Sequence, residues 1–128
     1  MDNFSIKTNA GEYDLACHVN IIGRDILVAI FGGEKPHIGA VAAANPRPSL
    51  RNPATTSATA SVICFIGHKE DDIAKYASEK IAAALNTQVV VTAGIHWDHI
   101  SEDGIKKVTQ NSHDLVRLVI DSLHPRME

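Results

Sequence analysis

Aromatic residues are scarce: three Phe, two Tyr and one Trp in 128 residues. A core must therefore be built mainly from Val, Ile, Leu and Ala, and a planar ligand would find few rings to stack on. Cysteine is scarce too. Cys17 and Cys64 lie in the apolar runs LACHV and VICFI, where a thiol outside a disulfide usually behaves as a small buried hydrophobe. Two cysteines give neither a disulfide framework nor a CxxC metal signature. No apolar run approaches the ~18 residues of a membrane span. The start, MDNFSIKTNAGEYD, lacks the basic and apolar regions of a secretory signal. These absences argue against a membrane protein and point to a cytoplasmic one. There is no basic surplus either. Twelve Lys and Arg face fifteen Asp and Glu, a net charge of -3, which argues against a nucleic-acid binder working by phosphate neutralisation.

Histidine is abundant, with seven copies at 18, 37, 68, 96, 99, 113 and 124. The length fits one domain over residues 1–128. Tyr13, Leu15, Cys17, Val19 and Ile21 alternate with Asp14, Ala16, His18 and Asn20, the period of a half-buried strand. DILVAIF, Asp25 to Phe31, is continuously apolar, as expected of a central strand covered on both faces. Short glycine-bearing breaks between these runs predict an antiparallel meander over 3–32. A small-residue strand, 39–44, follows. The stretch 45–60, NPRPSLRNPATTSATA, holds three of the five prolines and reads as a long irregular loop.

Residues 61–67 read as a strand and 69–85 as a helix. Ile73, Ala77, Ile81 and Leu85 fall on one face of that helix, and Asn86 stops it. TQVVVTA, Thr87 to Ala93, closes a β-α-β unit whose right-handed crossover makes its two strands parallel. Ser101 caps a last helical stretch in which Ile105 and Val108 face inward. A kink is expected near Asn111 and Ser112, with His113 in a capping role. The fold class is α+β: a mostly antiparallel mixed sheet, a β-meander plus one βαβ unit, with helices packed on one face. The other face is then polar or covered by a partner subunit, which allows a homo-oligomer.

Three histidine-bearing segments leave strand ends, where a rigid sheet holds loops in place for ligands. In Gly32–Gly39, GGEKPHIG, paired glycines allow a sharp turn and close approach, and Pro36 pre-sets the turn presenting His37. The alternative is a long connection with a solvent-facing His. His68 and Lys69 precede a helix, where free N–H groups and cations suit an anion; the alternative is a solvated cap. In Gly94–Ser101, GIHWDHIS, His96 and His99 have HxxH spacing, but no helical HExxH context or partner Cys accompanies them. Two unrelated loop histidines are the simpler account. No nucleophile–base motif is present.

GGxxPHIG at Gly32 to Gly39, His68-Lys69-Glu70-Asp71 before a helix reading SEKIA, and TAGIHxxxIS from Thr92 to Ser101 together resemble one small family. It is the gallate decarboxylase D-subunit family, also called prenylated-flavin chaperone-like proteins, and the likeness runs in order through nearly the whole chain. The resemblance implies a non-catalytic binding protein for prenylated FMN, or FMN. It would assist cofactor delivery to, or maturation of, a UbiD-like aromatic acid decarboxylase subunit, and a flavin prenyltransferase is a further partner. Carried over by motif, Gly32, Gly33, Pro36, His37, Ile38 and Gly39 form one wall of the cofactor site. His68 and Lys69 form its anion end, and Gly94, Ile95 and His96 the opposite lip. Arg47 or Arg51, outside the motifs, is expected to close over a phosphate from the 45–60 segment. The alternative is an accessory subunit or small enzyme that depends on a metal or phosphate ligand held by His37, His68 and His96.

Overall fold

The computed structural model describes residues 2–8, 11–65 and 70–127. Six strands form one mixed sheet: β1 (Asn3–Lys7), β2 (Leu15–Ile22), β3 (Asp25–Gly33), β4 (Ala40–Pro48), β5 (Thr56–Cys64) and β6 (Val89–His96). Their spatial order is β1-β2-β3-β6-β4-β5. The first three make the expected antiparallel meander. β6 then inserts beside β3 in parallel and beside β4 in antiparallel orientation. Since β4 is antiparallel to both β5 and β6, the strands flanking the crossover helix do run parallel, with β4 lodged between them. Helix α1 (Asp71–Leu85) makes that crossover, and α2 (Glu102–Leu123) follows β6.

Both helices lie on one face of the sheet. α1 packs on β4, β5 and β6, and α2 packs on β1, β2 and α1. The covered face is the core. In register it carries Phe4, Val19, Val28, Val91, Ala42 and Val62 in one row, with Cys17, Ile30, Ala93 and Ala40 in the next. Ala74, Ala77, Ile81 and Ala82 of α1 and Leu115, Val116, Val119 and Leu123 of α2 close over it. Small residues on α1 and β4 let helix and sheet approach closely. The opposite face carries Ser5, His18, Ala29, Thr92, Val41 and Ile63 in one row, and Asn3, Asn20, Leu27, Val90, Ala43 and Ser61 in the next. No element of the described chain covers it. Its outer strands β1 and β2 are polar, while its centre is apolar.

Local chemistry sets the helix ends. Ser101 Oγ accepts the Gly104 N–H, an N-cap, and Asn86 adopts the left-handed conformation that ends α1. Asp71 and Asp72, then Glu102 and Asp103, complement the positive ends of the two helix dipoles.

Several sequence expectations need correction. Residues 45–60 are no irregular loop: β4 and β5 continue as a ladder to Pro48 and Thr56. β6 pairs with β4 only as far as Ala44, so Asn45–Thr59 form a two-stranded arm projecting past the sheet. Cross-strand pairing over nine residues outweighs the breaking tendency of Pro46 and Pro48, which fall on a strand margin with no further neighbour. Asn111 and Ser112 do not break α2. Asn111 Nδ2 donates to the Tyr13 carbonyl and Ser112 Oγ to the Thr109 carbonyl, so both polar groups are satisfied inside a continuous helix. His113 caps nothing; its ring stacks on Tyr76, centroids 4.0 Å apart, and joins the two helices. Ile105 is half exposed rather than inward-facing. Cys17 is buried but Cys64, at the end of the edge strand, is exposed.

Candidate functional site

The parallel pairing of β3 and β6 brings their C-terminal ends side by side, with Gly32 opposite Ile95 and Gly33 opposite His96. Two of the histidine segments therefore meet at one pole of the sheet. Gly33, at φ +87°, turns the chain against the His96 carbonyl, a position where a Cβ would overlap it. The Glu34 N–H then donates to that same carbonyl at 2.7 Å. The following loop folds back over Gly94, whose missing Cβ leaves room for the His37 carbonyl. Gly39 N–H donates to the Ala93 carbonyl at 2.9 Å and starts β4.

His37 is clamped at both ring nitrogens. Nδ1 lies 2.8 Å from the Lys35 carbonyl, which can only accept, so Nδ1 carries a proton. Nε2 lies 2.8 Å from Glu70 Oε1. That oxygen also accepts the Ile95 N–H at 3.3 Å. Glu70 is buried, so one carboxylate ties the PHIG loop, the N-terminus of α1 and the end of β6 together. Outside this pair lies an exposed one: Asp98 Oδ1 is 2.8 Å from His96 Nε2 and 3.3 Å from Lys35 Nζ. The His96 hydrogen bond, then Lys35, hold the Asp98 carboxyl below its ordinary value.

Behind this ion-paired rim opens a cleft of about 500 Å3, lined on its apolar walls by Ile73, Ile95, Trp97, Ile100, Ile105 and Val108. That is within the size range of small-molecule sites. Trp97 meets Tyr13 edge-on with centroids 5.2 Å apart, so its ring is held in place. Glu70, Asp72, His96 and Thr109 supply the polar part of the lining.

The structure thus gathers Gly32, Gly33, Pro36, His37, Ile38, Gly39, Gly94, Ile95 and His96 at one pole. Ile95 and His96 face the cleft, and the PHIG loop buttresses it through Glu70. His68 and Lys69 lie outside the described residues. Arg51 is not at this pole: it sits at the tip of the β4–β5 arm, beyond Pro48 and so at the far end of the strand that starts at Ala40. Among the described residues no group of three His, Cys, Asp or Glu converges as a metal site. His37 and His96 instead each meet a carboxylate. Sequence reasoning assigned Ile95 and His96 to the site but not Glu70, Asp98 or the remaining cleft walls. Ile73 and Ile105 were read as positions facing the sheet, and Ile100, just before the Ser101 cap, carried no periodic signal.

A model of the prenylated flavin chaperone LpdD-like domain matches residues 9–124. The chain belongs to that family. It is 28% identical to Protein LpdD of Lactiplantibacillus plantarum, over 94% of this chain and 87% of the relative. Among solved structures, a chain from a chaperone complex for yeast 20S proteasome assembly superposes with a TM-score of 0.53, covering all of both chains at 15% identity. At that identity the likeness speaks to fold alone. No helix among the described residues is long and apolar enough to cross a membrane.

Proposed function

We propose that this member of the family holds a prenylated flavin mononucleotide at the β3–β6 pole and passes it to a UbiD-like decarboxylase as an accessory subunit. The observation that carries the reading is the apolar cleft placed where the family motifs converge. Ile73, Ile95, Ile100, Ile105 and Val108 offer the apolar walls that a fused ring system needs. Trp97 adds one aromatic surface, fixed by Tyr13. With so few aromatics, apolar contact and backbone groups must supply most of the affinity.

Glu70 and Asp72 in the lining disfavour a phosphate within the cleft, so the ring end fits the cleft and the phosphate lies outside it. The family resemblance gives the phosphate to His68 and Lys69. His37 does not act on the ring in this scheme. It fixes Glu70, which fixes the Ile95 N–H and the lip of the cleft. The prenylated flavin supplies the electron-accepting chemistry of decarboxylation once it reaches the enzyme; the chaperone's own residues bind it, orient it and exclude water. A flavin prenyltransferase would load it, in the same cytoplasmic compartment.

Co-expression with a flavin prenyltransferase, followed by mass spectrometry of the released small molecules, tests this. Prenylated FMN in near-stoichiometric yield is expected, with retention lost in Ile105→Glu, a change at a half-exposed wall position that folding tolerates. Protein that carries no flavin, or carries it equally well with Ile105→Glu, would remove the cleft from consideration. Decarboxylase activation by loaded but not by empty protein tests delivery separately.

A further inference from the structure

The uncovered sheet face and the β4–β5 arm have no role in the site above. At the centre of that face lie Leu27, Ala29, Phe31, Val41, Ala43, Val90 and Thr92, with no charged side chain among them. Central strands that read as continuously apolar are normally covered on both sides, and here the chain's own helices cover one. Six strands about 4.8 Å apart and roughly 25 Å long give a footprint of about 600 Å2. Two such faces bury about 1,200 Å2, the lower end of stable interfaces. The uncharged centre of the face can meet its own copy without like-charge repulsion at the two-fold axis.

The arm decides the orientation. Residues 45–59 contain Arg47 and Arg51 and no carboxylate. Leu50, at its tip, is 89% exposed. The opposite pole is acidic: among its described residues, the exposed Glu34, Asp72 and Asp98 outnumber Lys35. Pro46 and Pro48 remove two N–H donors from the arm's margin, so it is ill suited to accept an added strand. We propose that a second copy of this chain covers the open face, with the strands of the two sheets running in opposite directions. Each cationic arm then lies across the acidic pole of its partner, and Leu50 finds apolar cover beside the exposed Ile38 or Phe65. Were the strands aligned the same way, the two-fold would lay β4 and β5 over the partner's β2 and β1, and each arm would miss the acidic pole.

Sedimentation equilibrium of the full chain from micromolar to submillimolar concentration reads the outcome. A dimer is expected. Val90→Lys, at an already solvent-accessible position, brings a new charge into the apolar face and abolishes the dimer while the circular dichroism spectrum is unchanged. Arg51→Glu, at the exposed tip, weakens association about tenfold, an effect that fades in high salt. A chain that stays monomeric throughout, whether or not a decarboxylase binds that face, overturns the proposal, as does a dimer indifferent to Val90→Lys. Association unchanged in Arg51→Glu overturns the orientation.

Discussion

The two faces of the sheet are built from the same strands but obey different rules. On the helix side every central position is apolar and buried: Val28, Ile30, Val89, Val91 and Ala93 have almost no exposed surface. On the other side the same strands carry Leu27, Ala29, Val90 and Thr92, apolar or nearly so, yet only partly buried or exposed. The flanking strand β2 differs. It pairs buried Cys17 and Val19 with His18 and Asn20 on the open side. Alternation at the margin and continuous apolarity at the centre mean that solvent was expected at the margin and a cover at the centre.

The comparison is broken most directly by a matched pair of isoleucines. Ile81 of α1 is fully buried against the covered face, and Ile63 on the open face is 66% exposed. Ile81→Ala should destabilise the chain by about 2–5 kcal/mol through lost contacts and a residual cavity. Ile63→Ala should stay within about 0.5 kcal/mol in dilute solution. Urea unfolding of both variants measures the difference. Equal costs would mean that the open face is already packed within one chain.

Two thiols sharpen the same contrast. Burial pushes the Cys17 thiol up from 9.0 to about 11. Below pH 9 both folded and unfolded chains keep Cys17 protonated, so stability is unaffected. Above it the unfolded chain gains a thiolate that the fold refuses, and stability falls until the pH passes about 11. The loss is about 2–3 kcal/mol for a shift of this size. Cys17→Val should flatten that alkaline decline in urea titrations at successive pH values. In the native protein at neutral pH, iodoacetamide should modify exposed Cys64 and spare Cys17.

Much of this was legible in the sequence because the signals were periodic. The period-2 run around Cys17 and the 3.6 period around Ile81 placed the meander and α1, and glycine pairs with histidine marked the strand ends that meet at the pole. The arm was not legible. Pro46, Pro48 and Pro53 look like punctuation, and only the partner strand reveals that two of them fit a margin. Nor could α2 be read as continuous, since the bonds that satisfy Asn111 and Ser112 come from Tyr13, far away in sequence, and from Thr109. The cleft was hidden for a related reason. Glu70 stood in the sequence as part of the His68–Asp71 motif, and its actual partners, His37 and the Ile95 N–H, are set by topology.

Gly94 links the open face to the site, because its absent side chain is what lets the His37 carbonyl lie against β6. Gly94→Ala should push the loop away at a cost of about 1–3 kcal/mol and part His37 from Glu70. Histidine NMR resonances would report it: the His37 ring signals should shift while those of His113, stacked on Tyr76, stay in place. If His37 is unmoved, the close approach at Gly94 is not what holds the loop.

The smallest effect belongs to the exposed rim. The hydrogen bond from His96, followed by Lys35, favours the Asp98 carboxylate, so its pKa is lowered. A depressed carboxylate stabilises the fold above the ordinary Asp value and ceases to do so as acidification carries the pH through the lowered one. Asp98 is fully exposed to solvent screening, so the change in stability is slight and the carboxyl carbon chemical shift is the better readout. Its titration midpoint should lie below that of an isolated Asp and rise in both His96→Ala and Lys35→Met. The rise should be larger for His96→Ala, since the imidazole is the nearer partner at 2.8 Å against 3.3 Å. Added salt should erode the Lys35 contribution first, because that contact is the longer of the two and both of its groups are open to counterions.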